Sequence, residues 1–349
     1  MPLHSGVRAG EELPIEILSE YLRDKIEGAA TGIIVEQFLE GHSNLTYLLS
    51  CGDGRRYVLR RGPLGPVAPK AHDMAREYHI IEAVHPHFRA APRPYHLCEN
   101  TEVIGAVFFV MEYRQGTILR NDVPSSLQQI SGHQGRLSEA FVRCMVQLHA
   151  IDIRRSNLSA FGKADGFLAR QVHGWRDRWC GARTEDVPDM ESLGEWLAQR
   201  IPTSADAALV HNDFKLDNVI FRSINEVEAV LDWEMATVGD PLADLGLTLC
   251  YWTWADRAGI RTSPTPTLTS RPHWYLRDQV VEQYAQLTGR DLSGIAYYEV
   301  LGIYKLAVIL QQIYYRYRRG QTQDQRFRDF DQHVMALARL ASSLAEKHG

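Results

Sequence analysis

The sequence is short of cysteine and has no long apolar run. Its 349 residues contain 5 cysteines, an odd number, and no two are close enough for a zinc knuckle or a CxxC redox pair. This usage favours a reducing, cytoplasmic compartment. The most apolar stretch, residues 300–313, contains Lys305 and is shorter than the roughly 20 residues that a membrane helix needs. We therefore expect a buried helix there and no membrane partner.

An excess of positive charge is also missing. The chain has 38 Lys and Arg against 43 Asp and Glu, which gives a net charge of −5. Proteins that bind the backbone of a nucleic acid are usually basic, so we expect no nucleic-acid partner. The first residues, MPLHSGVRAGEELP, contain no apolar run of signal-peptide length. With 45% hydrophobic and 23% charged residues, the composition is that of a globular protein long enough for two domains.

The hydrophobic pattern changes character near residue 113. Before that point, short β-branched and aromatic runs separated by turn residues predict strands. After it, apolar residues recur at helical spacing. We therefore expect two domains, at 1–113 and 114–349. The predicted strands are 33–39, 45–51, 55–61 and 103–113, and the predicted helices are 12–27, 70–84, 137–150, 167–179, 190–200, 275–288, 297–317 and 330–346.

One loop concentrates the residue types that phosphoryl transfer requires. The sequence HNDFKLDN begins at His211 and places Asp213 five positions before Asn218, and Asp232 follows an apolar run further on. A carboxylate must accept the proton of the attacking hydroxyl, and Mg²⁺ prefers carboxylate, amide and phosphate oxygens. The pattern predicts that Asp213 is catalytic and orients the hydroxyl. Lys215, two positions later, resembles a lysine that protein kinases place near the transferring phosphate, which implies that it is catalytic too and neutralises the phosphoryl group. The pattern also predicts metal ligands at Asn218 and Asp232.

The spacing Asp-x-x-x-x-Asn followed by a metal-binding Asp is the catalytic-loop pattern of kinases. The segment GDPLADL at 239–245 and the Trp233-Glu234 pair resemble the aminoglycoside/choline phosphotransferase family. Within it, FLEGHSNLTYLL, YVLRRGP, AHDMAREY and LDWEMATVGDPLADLG are most similar to the kinase-like modules associated with acyl-CoA dehydrogenases. The resemblance implies an α+β, bilobal protein-kinase-like fold with an antiparallel β-sheet N-lobe and a mainly helical C-lobe. It also implies ATP and Mg²⁺ as cofactors and a functional link to an acyl-CoA dehydrogenase.

The resemblance assigns roles to the two domains. Residues 1–113 would be the nucleotide-binding lobe with a leading helix, and 114–349 would carry the catalytic loop, the metal site and the acceptor-substrate site. The strand around Tyr57 resembles the one that supplies a phosphate-binding cation, and the position holds Arg60 where most kinases have Lys. Arg keeps the charge and can bind phosphate with two donors. Arg61 would point to the opposite face of the strand, and Glu77 in the following helix is the expected partner of Arg60.

Two further segments are predicted to contact the nucleotide. The turn Gly41-His42-Ser43-Asn44 joins two strands and could cover phosphates with backbone N–H groups and the Ser43 hydroxyl; an ordinary hairpin turn is the alternative. The segment ending at Glu112 and Tyr113 resembles the inter-lobe hinge of the family, where backbone groups at these two residues would bind adenine.

Other residues of the loop region are predicted to be structural. Asn212 stands where the family usually has Gly, and Asn tolerates left-handed backbone better than most residues. His211 is expected to hydrogen-bond the loop. Asp240 precedes Pro241 and is predicted to cap a helix, and Asp244 is expected to brace the loop.

The acceptor is the least determined part of the sequence. Tryptophans and tyrosines are concentrated in the helical lobe, where an aromatic stripe is more often core than pocket. Acidic residues do not cluster in 250–320, whereas Lys305, Arg316, Arg318 and Arg319 suggest a basic wall that suits an acidic acceptor. The sequence thus predicts transfer of the ATP γ-phosphate to a hydroxyl of a small molecule, with a hydroxyacyl-CoA favoured. The alternatives are an antibiotic (aminoglycoside or macrolide) or amino-alcohol kinase, and a nucleotide-binding pseudokinase that acts as a regulatory module.

Overall fold

The chain forms two compact units in a computed structural model. The first unit comprises Met1–Gly116 and Glu228–Ala236, and the second comprises Thr117–Val227 and Thr237–Gly349. The structure describes residues 4–38, 44–63, 72–204, 206–252, 254–255, 261–262 and 267–348.

The segment Glu228–Ala236 belongs to the first unit although it lies far along the chain. The Val230 amide donates to the Ala90 carbonyl at 2.8 Å. The Trp233 amide donates to Oε1 of Glu77 at 3.2 Å. These bonds join the segment to helix and loop residues of the first unit, a long-range arrangement that hydrophobic periodicity cannot predict.

A six-stranded sheet forms the body of the first unit. The elements of this unit in chain order are β1 (His4–Ser5), α1 (Ile15–Leu22), β2 (Ile33–Phe38), β3 (Leu45–Cys51), β4 (Arg56–Arg61), α2 (Met74–Val84), β5 (Pro94–Cys98) and β6 (Phe108–Glu112). The strand order in the sheet is β1-β2-β3-β4-β6-β5, and all neighbouring pairs are antiparallel. One face buries a cluster that includes Leu18, Tyr47, Leu59 and Phe108.

The predicted helices 12–27 and 70–84 and the predicted strand 103–113 are longer than the observed α1, α2 and β6, and residues 70 and 71 lie outside the described residues. Helix α1 ends at Leu22, and α2 begins at Met74 because the Asp73 side chain caps it by accepting from the Arg76 amide at 2.9 Å. The predicted strand 103–113 is reduced to β6, since Gly105 adopts a positive φ of 79° in the preceding turn. This φ lies outside the β region of backbone conformation.

The second unit is mostly helical. Its core includes the buried aromatic residues Trp175, Trp179 and Tyr304, so the interpretation of these residues as core is confirmed. Its elements in chain order are β7 (Thr117–Ile118), α3 (Ser125–Gln128), α4 (His133–His149), α5 (Phe167–Ala182), α6 (Pro188–Gln199), β8 (Ala208–Val210), β9 (Val219–Ser223), β10 (Glu226–Val230, which leads into the first unit), β11 (Thr237–Gly239), α7 (Pro241–Cys250), β12 (Trp254–Ala255), β13 (Arg261–Thr262), α8 (Arg277–Thr288), α9 (Ile295–Arg318) and α10 (Phe330–Lys347).

Helices α7 and α9 approach each other closely at two glycines. A Cβ atom added to Gly246 would collide with the Tyr298 carbonyl, and one added to Gly302 would lie 2.8 Å from the Gly246 carbonyl. The apolar stretch 300–313 lies within α9 as predicted. Among the described residues, no helix is both long and apolar enough to cross a membrane.

Candidate active site

The predicted catalytic loop connects β8 to β9 in the second unit. The Asp213 carboxylate is its centre, since Oδ2 lies 2.9 Å from Lys215 Nζ and accepts from Asn218 Nδ2 at 2.9 Å. Asn218 Nδ2 also donates to the Asp213 carbonyl at 2.9 Å, which closes the loop on itself. The Tyr251 hydroxyl lies 3.5 Å from Asp213 Oδ1. The structure therefore brings together three of the residues that the sequence singles out.

Helix α7 stabilises this loop through the Asp244 side chain. Asp244, fully buried, accepts from the amides of His211 and Asn212 at 2.7 Å each, so the predicted brace is confirmed. His149 lies 3.2 Å from the same carboxylate. Burial alone would raise the pKa of Asp244, but the hydrogen bonds and charges of His149 and His211 outweigh it and lower that pKa. The Asp240 side chain caps α7 through the Leu242 amide at 2.9 Å, as predicted.

Asn212 adopts the expected left-handed conformation, with φ of 63°. Its carbonyl accepts a hydrogen bond from Lys305 Nζ at 2.9 Å. Lys305 is only 7% exposed, so it lies inside the unit under the loop and not on its surface. Because a helix rises about 1.5 Å per residue, the exposed Arg316 lies roughly 16 Å further along α9. The predicted basic wall of Lys305 with Arg316, Arg318 and Arg319 is therefore wrong.

In the first unit, the Arg60 guanidinium lies between two carboxylates, those of Glu77 and Asp232. Arg60 Nε lies 3.1 Å from Glu77 Oε2, and its Nη2 donates to Asp232. Arg61 instead donates to the Ile104 carbonyl at 2.9 Å. Burial alone would lower the pKa of Arg60, but Glu77 and Asp232 outweigh it and raise that pKa. Burial raises the pKa of Glu77 to about 7, against the opposing charge of Arg60.

Glu234 provides a second acidic group beside this cluster. Its carboxylate accepts from Asn44 Nδ2 at 2.9 Å and lies 3.4 Å from His72 Nδ1. Asn44 is buried, and among the described residues its Oδ1 has no hydrogen-bond partner. Ser43, which is also predicted to bind the nucleotide, lies outside the described residues.

The two residues predicted to bind adenine, Glu112 and Tyr113, lie at the end of β6 in the first unit. The Glu112 amide donates to the Arg93 carbonyl at 2.8 Å, and its carboxylate accepts from the Arg93 amide at 3.0 Å. Arg114 Nε lies 2.9 Å from the same carboxylate. The Tyr113 ring packs under the Arg56 guanidinium, 4.5 Å from its centroid. With the Glu112 amide already engaged, a base bound here has to use other backbone groups of the segment.

A cavity of about 270 Å³ lies beside the catalytic loop within the second unit. Two residues of its lining, Lys215 and Tyr251, also contact the Asp213 carboxylate. Burial raises the pKa of Asp217, which Lys215 and Arg120 oppose. The cavity is lined by Leu119, Arg120, Asn121, Phe141, Lys215, Leu216, Asp217, Thr248, Tyr251, Trp252, Thr267, Leu268 and Thr269.

Sequence reasoning did not assign a role to Tyr251, Arg120 or Asp217. Asp217 stands immediately before Asn218 in the motif, and this position was the one available signal. Tyr251 and Arg120 carry no such signal, because only packing brings them to the loop.

The predicted metal ligands carry suitable donor atoms. Asp232 offers a carboxylate, and Asn218 uses Nδ2 as a donor, which leaves its Oδ1 as a ligand atom. Hard oxygen donors fit Mg²⁺. Among the residues that the structure describes, no three His, Cys, Asp or Glu side chains form a metal site by themselves. Each of the two residues can thus supply one oxygen ligand, and phosphate oxygens and water are the other ligands that Mg²⁺ commonly takes.

Comparisons with known proteins agree with these features. The sequence model of the phosphotransferase enzyme family (APH) matches residues 34–292, about three quarters of the chain. Acyl-CoA dehydrogenase family member 11 of Gallus gallus is 32% identical over 326 residues, which are 91% of this chain and 41% of that protein. Acyl-CoA dehydrogenase family member 10 of Mus musculus is 32% identical over 363 residues, covering 100% of this chain and 33% of that protein. The chain thus spans well under half the length of these relatives.

Solved structures show the same fold. A Ralstonia eutropha protein, provisionally named an aminoglycoside phosphotransferase, has a TM-score of 0.81 and 29% identity, covering 96% of this chain and 99% of that chain. Choline kinase from Cryptosporidium parvum has a TM-score of 0.65 and 13% identity, covering 95% of each chain. The predicted α+β, bilobal protein-kinase-like fold class is confirmed.

Proposed function

The chain belongs to the phosphotransferase enzyme family, and from this premise we propose that it transfers the γ-phosphate of ATP to a hydroxyl of a small molecule. The main support for this proposal is the Asp213 carboxylate, which pairs with Lys215 and accepts a hydrogen bond from Asn218 beside a cavity. A carboxylate in this position can accept a hydroxyl proton, and the adjacent ammonium can neutralise phosphate charge.

The reaction that we propose is a direct transfer of the phosphoryl group from ATP to the acceptor. The acceptor hydroxyl oxygen forms a bond to the γ-phosphorus while the bond from that phosphorus to the bridging β–γ oxygen breaks, and ADP leaves with the electron pair. The hydroxyl proton passes to Asp213. Lys215 neutralises negative charge on the transferring phosphoryl group. Arg60, which is oriented by Glu77, binds the α- and β-phosphates. Bound Mg²⁺, with Asp232 and Asn218 as ligands, would neutralise phosphate charge.

The acceptor that we propose is a hydroxyacyl-CoA. The cavity combines apolar walls, including Phe141 and Trp252, with the cations of Arg120 and Lys215 and a single carboxylate, Asp217. Apolar surface suits an acyl chain, whereas a polycationic aminoglycoside needs several carboxylates. Burial lowers the pKa of Arg120, against the opposing charge of Asp217, and an anionic acceptor group in the cavity would further favour the charged guanidinium.

Two further observations support this acceptor and its setting. The matched segment forms part of longer relatives named acyl-CoA dehydrogenase family members. A kinase and a dehydrogenase on one chain would share an acyl-CoA substrate, which supports the predicted functional link. The five cysteines are all free thiols, four of them buried, in keeping with the reducing cytoplasmic location that we predict.

A screen of acceptors tests the proposal. The purified chain is incubated with Mg·ATP and one acceptor at a time: hydroxyacyl-CoAs of several chain lengths, kanamycin, a macrolide or choline. We expect ADP formation coupled to a phosphorylated hydroxyacyl-CoA detected by mass spectrometry. Transfer to kanamycin with none to any hydroxyacyl-CoA contradicts the acceptor. Nucleotide binding with no transfer to any acceptor favours the pseudokinase alternative.

Replacement of Arg120 by glutamine should selectively weaken the binding of an anionic acceptor. We expect Arg120→Gln to raise the KM for a hydroxyacyl-CoA roughly tenfold, about the effect of one lost charge-assisted hydrogen bond, with little change in kcat. The matched control is Arg143→Gln, because Arg143 is an exposed arginine of the same unit that pairs with Glu139 and does not line the cavity. Equal KM values in the two variants would exclude Arg120 from the acceptor site.

A further inference from the structure

Lys305 is a buried lysine that lies under the catalytic loop. Its Nζ donates to the Asn212 carbonyl at 2.9 Å and lies 5.5 Å from the centre of the Trp175 ring. Asn212 immediately precedes Asp213. The ammonium therefore contacts the backbone of the loop one residue before the predicted catalytic carboxylate.

The contact stabilises the backbone at Asn212, which adopts a left-handed conformation. Its φ is 63°, a conformation that asparagine tolerates better than most residues but that its surroundings still have to hold in place. Asp244 fixes the amide of Asn212 at 2.7 Å, and Lys305 fixes its carbonyl. The peptide groups on both sides of this residue are thus tied to two different helices.

The position of Lys305 is itself rigid. Helix α9 packs against α7 at Gly302 and Gly246, where no Cβ fits. Lys305 follows Gly302 by three residues, so it lies almost one helical turn further along α9. The close approach of the two helices thus aims both Asp244 and Lys305 at the same loop.

Burying the charged amine of Lys305 has a free-energy cost, which favours a role for this residue beyond packing. Burial lowers the pKa of Lys305 to about 8, although the Asp213 and Asp244 carboxylates act in the opposite direction. A buried ammonium weakens the folded state, and an apolar residue of the same length would avoid that cost.

We propose that Lys305 is a positioning residue that holds the Asn212 carbonyl and so sets the placement of the Asp213 carboxylate for phosphoryl transfer. The inference rests on the proposed function, in which Asp213 accepts the hydroxyl proton. Lys305 touches neither the nucleotide nor the acceptor in this role. Its loss should therefore affect turnover and spare substrate binding.

The test compares Lys305→Met with Gln311→Met. Gln311 is a matched control because it is 3% exposed, lies on the same helix and donates to a backbone carbonyl outside the loop, that of Ala182 at 2.9 Å. We expect Lys305→Met to lower kcat roughly 10- to 100-fold, the scale of a small misplacement of a catalytic group, with both KM values within about threefold of wild type. Gln311→Met should keep kcat within about twofold.

A second measurement does not depend on turnover. Amide hydrogen exchange of peptides covering 211–218 should be faster in Lys305→Met than in wild type and in Gln311→Met. If wild type transfers phosphate to no acceptor, the proposed function fails while the exchange data still decide the role of Lys305. Unchanged exchange together with a kcat equal to that of Gln311→Met would overturn the inference.

Discussion

Asp213→Asn should lower kcat by roughly two to four orders of magnitude, the range expected for the loss of a general base. Asparagine has nearly the same shape as aspartate and can still accept through one oxygen from Lys215 and Asn218, both 2.9 Å away. The carbonyl of residue 213 also keeps its bond from Asn218. The loop should therefore retain its structure while losing the group that accepts the hydroxyl proton.

The measurement is steady-state kinetics alongside nucleotide binding by calorimetry. We expect the ATP affinity of Asp213→Asn to stay within a few-fold of wild type, so that the loss falls on kcat. Asp177→Asn is the control, since Asp177 is an exposed aspartate of α5 in the same unit. Parallel losses of ATP binding and turnover would make Asp213 a structural residue and remove the basis of the proposed chemistry.

Asp232→Ala should abolish the part of the thermal stabilisation by ATP that depends on Mg²⁺. A ligand that binds only the folded state at about 100 times its Kd contributes about 2.7 kcal/mol of stability. If Asp232 ligates the metal, adding Mg²⁺ to the ATP-bound variant should add almost nothing to its Tm. Wild type should show a clear further increase.

The backbone at Asp232 requires a second variant. Asp232 has a positive φ of 67°, which alanine tolerates less well than aspartate or asparagine, so Asp232→Ala also loses stability for a local reason. Asp232→Asn keeps a residue suited to that conformation and removes only the charge. Both variants should lose most of the Mg²⁺ response.

A control for these variants lies in the same segment of the first unit. Glu228 also pairs with an arginine, its Oε1 lying 3.0 Å from Arg114 Nη1. Glu228→Gln should lower the Tm of the free protein and preserve the Mg²⁺-dependent increase. A full Mg²⁺ response in both Asp232 variants would show that the metal is held by other groups.

Several features of the site could be read from the sequence because they depend on short separations. Asp213 and Asn218 share one loop, so their mutual hydrogen bonds follow from a spacing of five residues. Asp240 caps α7 through an amide two residues on, and Pro241 begins the helix. The preference of asparagine for left-handed backbone likewise predicted the conformation of Asn212. Each is a local property of backbone and side chain.

Contacts between distant parts of the chain were only partly predictable. The resemblance to a kinase family suggested that Arg60 pairs with Glu77, yet no pattern in the sequence indicated that Asp232, 172 residues from Arg60, would contact the same guanidinium. Burial then sets the electrostatics, since it raises the pKa of Glu77 to about 7. A charge count cannot anticipate such a shift, because it depends on which groups exclude water.

Local hydrophobic patterning by itself predicted a β-rich part followed by a mostly helical part, and local spacing picked out the residue types of the catalytic loop. The tertiary structure alone decided what surrounds that loop. Lys305 reads in sequence as part of a basic helix end, but the contact of Gly302 with Gly246 buries it against Asn212. The cavity beside Asp213 likewise combines residues from 119 to 269. Side-chain position in such a site follows from how closely helices pack, and packing depends on contacts between residues that are remote in the chain.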